Sequence, residues 1–303
     1  MAQDATRRAL RRPPSLFTWL TRPGLRVFAH TFRASLGGTY KHGGIATSKS
    51  AAYSALLSFF PLLATAATLL VHTRADFAYR QISTFLSQAL PPHTQETVFR
   101  YFAERGNQPA LWPVTGIFVS LWAASGFMVS LIEGFRAAYQ IPTGRSFLRE
   151  RVVAVLLVLL AALPAAAASV LVLMGRRAEH WAVHKLGLLP SGRDLEGWVR
   201  VVFATIRWAI GFGAIVTATA ILYFYGPNRR QQWRAVWPGA FVATALWLAA
   251  TMLFGWYVRY IGNYNVLYGS IATAIMLLVW MYLLAIIALI GCEFNACYEK
   301  LGA

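Results

Sequence analysis

Six stretches of the chain contain no Asp, Glu, Lys or Arg: 50–73, 106–132, 152–175, 208–228, 235–258 and 260–292. Each holds at least 21 residues, and the next longest, 81–95, holds 15. A helix needs about 20 mostly apolar residues to cross the roughly 30 Å of a bilayer's hydrocarbon. Each long stretch therefore accommodates one span. Only helices satisfy the backbone there without water or partner strands, so the spans are helical. The pattern predicts spans over 50–71, 111–132, 152–174, 206–225, 237–258 and 269–291. Core helices of a large soluble enzyme would rarely bring six such runs together.

Shorter apolar sets lie between the spans. In the loop 72–110, Phe77, Ile82, Phe85 and Leu86 recur at helical spacing. Pro91-Pro92 interrupts them, and Val98, Phe99 and Phe102 follow. Two short amphipathic helices on the outer face are expected there, with another in the loop 175–205. The fold class is thus all-α: a polytopic membrane protein with about six transmembrane helices plus short amphipathic ones. Three regions are expected: a basic segment 1–49, a six-helix domain 50–292 and a short tail 293–303. Residues 1–49 hold no long apolar core, so the first span is expected to act as the insertion signal.

Composition agrees: 57% of residues are hydrophobic and 13% charged, against about a quarter charged in soluble domains. The net charge of +17 would also suit a nucleic-acid binder. Its distribution follows a membrane instead. Segment 1–49, the loops after spans two and four, and the tail carry 17 basic residues. The opposite side carries ten, diluted by six acids. The positive-inside rule then places both termini in the cytoplasm. The expected partners are membrane lipids, above all the anionic inner leaflet, with no nucleic acid. Further copies of the chain or envelope proteins are other partners to consider. Cys292 and Cys297 form neither a disulfide framework nor a zinc site. No metal, cofactor or catalytic set is expected.

Several local patterns occur in order along the chain. The first span reads Ala51-Ala52-Tyr53-Ser54-Ala55-Leu56-Leu57-Ser58-Phe59-Phe60-Pro61. Leu121-Trp122-Ala123-Ala124-Ser125-Gly126 lies in the second, followed by Arg145-Ser146-Phe147-Leu148 and Arg151. Tyr225-Gly226-Pro227-Asn228, Trp233-Arg234 and Pro238-Gly239-Ala240 surround the fourth loop. The last span carries Tyr268-Gly269-Ser270, Trp280-Met281-Tyr282 and Gly291-Cys292-Glu293-Phe294-Asn295-Ala296. Together these resemble the YihY/virulence factor BrkB family, some of whose members were once labelled ribonuclease BN. The resemblance covers roughly residues 35–298 and implies a six-helix inner-membrane protein. It implies no agreed activity.

Polar groups inside or at the edge of a bilayer are costly and therefore informative. Glu293, with Asn295 nearby, ends the last span; it would carry a proton, pair with a loop arginine, or simply be a solvated helix-end carboxylate. Glu133 and Arg136 are spaced for a local ion pair. Arg145, Arg149, Arg151, Arg229, Arg230 and Arg234 would either converge on one anionic group, beside Asn228, or serve as topology signal alone. The resemblance raises Arg145, Arg151 and Arg234 above the others. Pro61 with Tyr53 and Ser58 would line a cavity, or be an ordinary packing feature.

These features lead to a transporter or flippase for an anionic amphipath, such as a lipid or lipid-linked molecule. No G-x-x-x-x-G-K-[ST] motif is present, so energy would come from an ion gradient or a partner. The alternative is a non-catalytic envelope scaffold. A nuclease is disfavoured, because the acids are scattered and the six histidines show no metal-binding spacing.

Overall fold

The computed structural model describes residues 22–72, 111–142, 144–164, 167, 197–260 and 265–302. Among them every regular element is helical. They are α1 (Arg22–Lys41), α2 (Gly44–His72), α3 (Leu111–Ala138), α4 over 147–164 and α5 (Gly197–Tyr225), then a 3-10 turn (Trp233–Ala235), α6 (Trp237–Tyr260) and α7 (Asn265–Gly302). Four stretches of the described residues are long and apolar enough to cross a membrane: Thr115–Ala138, Ala204–Tyr225, Trp233–Tyr257 and Ala274–Lys300. The chain is an all-α polytopic membrane protein.

Helix also covers all of 50–71, and 152–174 as far as 164. The remainder of that stretch lies outside the described residues, as do the short helices expected within 73–110 and residues 175–196. Two boundaries move. α5 begins at Gly197, within what was expected to be loop. The expected tail is instead the last turns of α7, which run on to Gly302. Phe294, Ala296 and Tyr298 are buried there, so packing holds those turns in place. The basic N-terminal segment also contains a docked helix. α1 turns into α2 through Gly43, whose φ of +75° is open to glycine at little steric cost.

α7 is the central element at its C-terminal end. Residues 291–296 are all buried, so the helix is enclosed on every side. Its neighbours approach through small residues. A Cβ on Gly239 of α6 would collide with the carbonyl of Gly291, and one on Gly38 of α1 with the Glu293 carboxylate. Thr31, Ser35 and Thr39 form a buried, four-residue-spaced stripe on α1. Their hydroxyls bond carbonyls of their own helix at 2.7–2.8 Å, leaving a polar but self-satisfied surface. Phe28 reaches Phe294, ring to ring at 5.5 Å. Such close approach is how helices associate where lipid removes the hydrophobic drive. α2 runs through Pro61 without a break in helix assignment.

Candidate functional site

Polar groups converge where α7 ends. Glu293 is 2% exposed, too deeply placed for a solvated helix-end carboxylate. His42, in the turn after α1, brings Nδ1 to 3.1 and 3.2 Å from its two carboxylate oxygens. On the other side of the imidazole, Gln140 Nε2 lies 3.0 Å from His42 Nε2. With the proton on Nδ1, Nε2 accepts and the Gln140 amide donates. Rotation of that amide would let its oxygen accept from a doubly protonated imidazole instead. Gln140 itself occupies the left-handed region, at φ 53°. It closes α3 in a Schellman turn, with Gln140 N–H donating to Ala137 and Ile141 N–H to Arg136, both at 3.0 Å. Glycine is the usual residue there. Holding glutamine in that conformation costs roughly 1 kcal/mol.

The residue before it extends the same ring. Arg229 lies over the Tyr139 ring, 3.8 Å from its centroid, and pairs with Glu299 near the end of α7. Burial raises the Tyr139 hydroxyl well above its ordinary value, and that hydroxyl has no hydrogen-bond partner among the described residues. Arg145 donates to the carbonyls of Gly226 at 2.8 Å and Tyr225 at 3.0 Å, capping the end of α5. Burial pulls Arg145 below its usual range, and Arg149 and Arg136 act in the same direction. Gln231 donates to the carbonyls of Tyr223 and Phe224. Between these groups opens a cavity of about 460 Å³, lined by Arg145, Tyr225, Asn228, Arg229, Arg230 and Gln231, with Phe224 and Pro227. Arg230 is exposed and has no charge partner among the described residues, so its charge is open to a ligand there.

Asn295 plays a different part. Its Oδ1 accepts from Gly239 N–H at 2.6 Å, and its Nδ2 donates to the Val236 carbonyl at 3.0 Å. Both partners lie at the start of α6, where the Gly239 N–H lacks a helical partner and the Val236 carbonyl also accepts from the Ala240 N–H at 3.2 Å. Tyr223 similarly donates to the Ala288 carbonyl, at 2.7 Å. These are clamps between helices.

The structure therefore joins Arg145, Asn228, Arg229 and Arg230 around one cavity and places Glu293 in the adjoining ring. The other candidates lie elsewhere. Arg234 is exposed on the 3-10 turn, and Arg149 is exposed on α4. Arg136 pairs with Glu150 at 3.4 Å, not with Glu133, which is exposed. That pairing corrects the expected local one: Arg136 is half-buried toward α4, whereas Glu133 faces outward. Tyr53 is 61% exposed on the outer surface of α2. Ser58 is buried but donates to the Ala55 carbonyl of its own helix. Pro61 is half-buried. Arg151 lies over Trp122, 4.4 Å from the ring centroid. Sequence reasoning missed His42, Gln140, Tyr139 and Glu299. The signal closest to naming one was the glycine pair after His42, which marks a turn. No group of three His, Cys, Asp or Glu among the described residues is placed to hold a metal.

Comparison with known proteins gives this arrangement a family. The model for virulence factor BrkB matches residues 38–302. The ribonuclease-like protein YfkH of Bacillus subtilis is 31% identical over 267 residues, covering 86% of this chain and 91% of YfkH. A UPF0761 membrane protein of Tolumonas auensis is 26% identical over 249 residues, covering 81% of this chain and 77% of the relative. One from Chromobacterium violaceum is 25% identical over 265 residues, covering 82% of this chain and 57% of the relative. No solved structure matches the chain. The chain belongs to the BrkB virulence-factor family of membrane proteins.

Proposed function

We propose that this protein moves an anionic amphipath, such as a lipid or lipid-linked molecule, across a bacterial inner membrane through six spans, with both termini in the cytoplasm. The observation that carries the reading is the juxtaposition at the end of α7: an arginine-lined cavity beside a buried, histidine-paired carboxylate. In this reading the cavity is the cytoplasmic station for the anionic group, where Arg230 supplies the unpaired charge and Asn228 a neutral donor. Glu293 and His42 exchange a proton with the cytoplasm, and Gln140 follows the change by rotating its amide. The exposed arginines and apolar residues of α1 (Arg26 and Arg33 with Val27, Phe28 and Leu36) lie against the inner leaflet.

A second reading, a non-catalytic envelope scaffold, draws on another observation. Arg145, Arg229 and Asn295 are already satisfied within the protein, as parts of a rigid clamp would be.

The test is movement of fluorescent anionic and zwitterionic lipids in proteoliposomes, comparing wild type with Glu293→Gln and Arg230→Gln. The transport reading expects movement above protein-free liposomes that both substitutions reduce by about tenfold, the size of one lost charge-assisted contact. Folded, inserted protein that moves no lipid would favour the scaffold.

A further inference from the structure

Away from the ring, Arg151 presents a separate problem in charge balance. It belongs to α4, and its guanidinium rests on Trp122 of α3. Its Nη1 lies where a Cβ on Gly126 would come within 3.8 Å, and Ser54 of α2 borders the same spot at 3.9 Å. Gly126 is about 18 Å before the end of α3, well inside the span. Arg151 Nε is buried with no hydrogen-bond partner. Arg151 makes no hydrogen bond or ion pair among the described residues, where its guanidinium rests on the Trp122 face. Arg136, its neighbour in type, has Glu150, and Arg229 has Glu299.

An arginine at this depth persists where something compensates it. The indole face covers one side of the guanidinium through a cation–π contact and leaves the in-plane N–H groups free. Those form a planar fork suited to phosphate oxygens. The surroundings say which phosphate. Trp122 is 58% exposed, and Phe118 on α3, Leu57 on α2 and Leu156 on α4 are exposed too, so apolar surface meets the bilayer beside the charge. A free anion would have to cross hydrocarbon to reach it. A phosphodiester with acyl chains brings its own covering for that surface.

We propose that Arg151, Trp122, Gly126 and Ser54 form a phospholipid site between α2, α3 and α4, in which Arg151 binds the lipid phosphate and Ser54 donates a further hydrogen bond. Gly126 borders the guanidinium and Ser54 at ordinary contact distance. This goes beyond the cavity at the α7 end, and it requires only that the lipid be bound, not moved. Binding without movement would leave this site standing and remove the transport reading.

Native mass spectrometry of the full-length chain in detergent tests it, with phosphatidylglycerol, diacylglycerol of the same chains, and inorganic phosphate as probes. Wild type is expected to retain phosphatidylglycerol and not diacylglycerol, with millimolar inorganic phosphate failing to displace it. Arg151→Gln is expected to weaken retention about tenfold, while the exposed neighbour Arg149→Gln leaves it unchanged. If Arg151→Gln fails to fold, Trp122→Leu, which removes the ring face on which the guanidinium rests, is expected to reduce retention in the same direction. Equal retention by Arg151→Gln and wild type would overturn the proposal. So would equal retention of diacylglycerol, which marks a merely apolar face, or displacement by inorganic phosphate, which marks a free-anion site.

Discussion

The C-terminal end of α7 and the middle of α2 both place polar side chains in an apolar bundle, but they satisfy them differently. At α7 the partners come from far along the chain. Glu293 meets His42, Asn295 meets Val236 and Gly239, and Glu299 meets Arg229. On α2, Ser58 bonds Ala55 and Thr65 bonds Pro61, each within one turn, and of these two Thr65 also reaches across, to Ser120 at 2.8 Å. A hydroxyl that closes on its own helix says little about which helix lies beside it. A buried amide or carboxylate that requires a partner on another element specifies the arrangement, because the wrong arrangement leaves it unpaired. The α7 end is therefore where side-chain hydrogen bonds specify how the described helices meet.

Substitutions sharpen the contrast, and the largest effect belongs to packing at α7. Gly239→Val drives a side chain into the Gly291 carbonyl, in a place where neither backbone yields easily. A loss of about 3 kcal/mol, or of folded protein in detergent, is expected by thermal melting. Asn295→Ala leaves the Gly239 N–H buried and unpaired, while the Val236 carbonyl keeps its bond from the Ala240 N–H, for a loss of about 2 kcal/mol.

Tyr139→Phe works the other way. It removes a buried hydroxyl that has no partner and should raise stability by about 1 kcal/mol at neutral pH. The same substitution carries a pH signature. Burial raises the folded-state value of Tyr139 above the ordinary phenol's. Stability is then complete below about pH 10, the unfolded value, and falls as the pH climbs from there toward the folded value. Tyr139→Phe should flatten that alkaline decline in melts run at rising pH. Ser58→Ala on α2 should change the melting point least, by under about 0.5 kcal/mol. A loss there as large as that of Asn295→Ala would erase the contrast between the two regions.

The long apolar helices were readable along the chain, because span length and the absence of charge are local properties, whereas α1 lies in a basic segment that carries no such run. Glu293 and Asn295 also stood out, as polar residues at the end of a long apolar run. Their surroundings did not. His42 lies 251 residues from Glu293, Gln140 lies 98 from His42, and Arg229 lies 70 from Glu299. No periodicity joins residues so far apart. Charge spacing even pointed the wrong way for Arg136, whose partner is Glu150 on the next helix. Nor does a glutamine announce that it will occupy a left-handed position at a helix end. That position depends on the Schellman turn, which here aims Gln140 at His42.

Arg230 and Arg234 lie four residues apart in the same connection, both exposed, but only Arg230 lines the cavity. The most direct measurement is the rate of anionic-lipid movement in proteoliposomes carrying Arg230→Gln or Arg234→Gln at matched insertion. The account predicts about a tenfold loss for Arg230→Gln and a rate near wild type for Arg234→Gln. Equal losses in both would mean that overall positive charge, not the cavity at the end of α7, governs the activity, and would contradict the account.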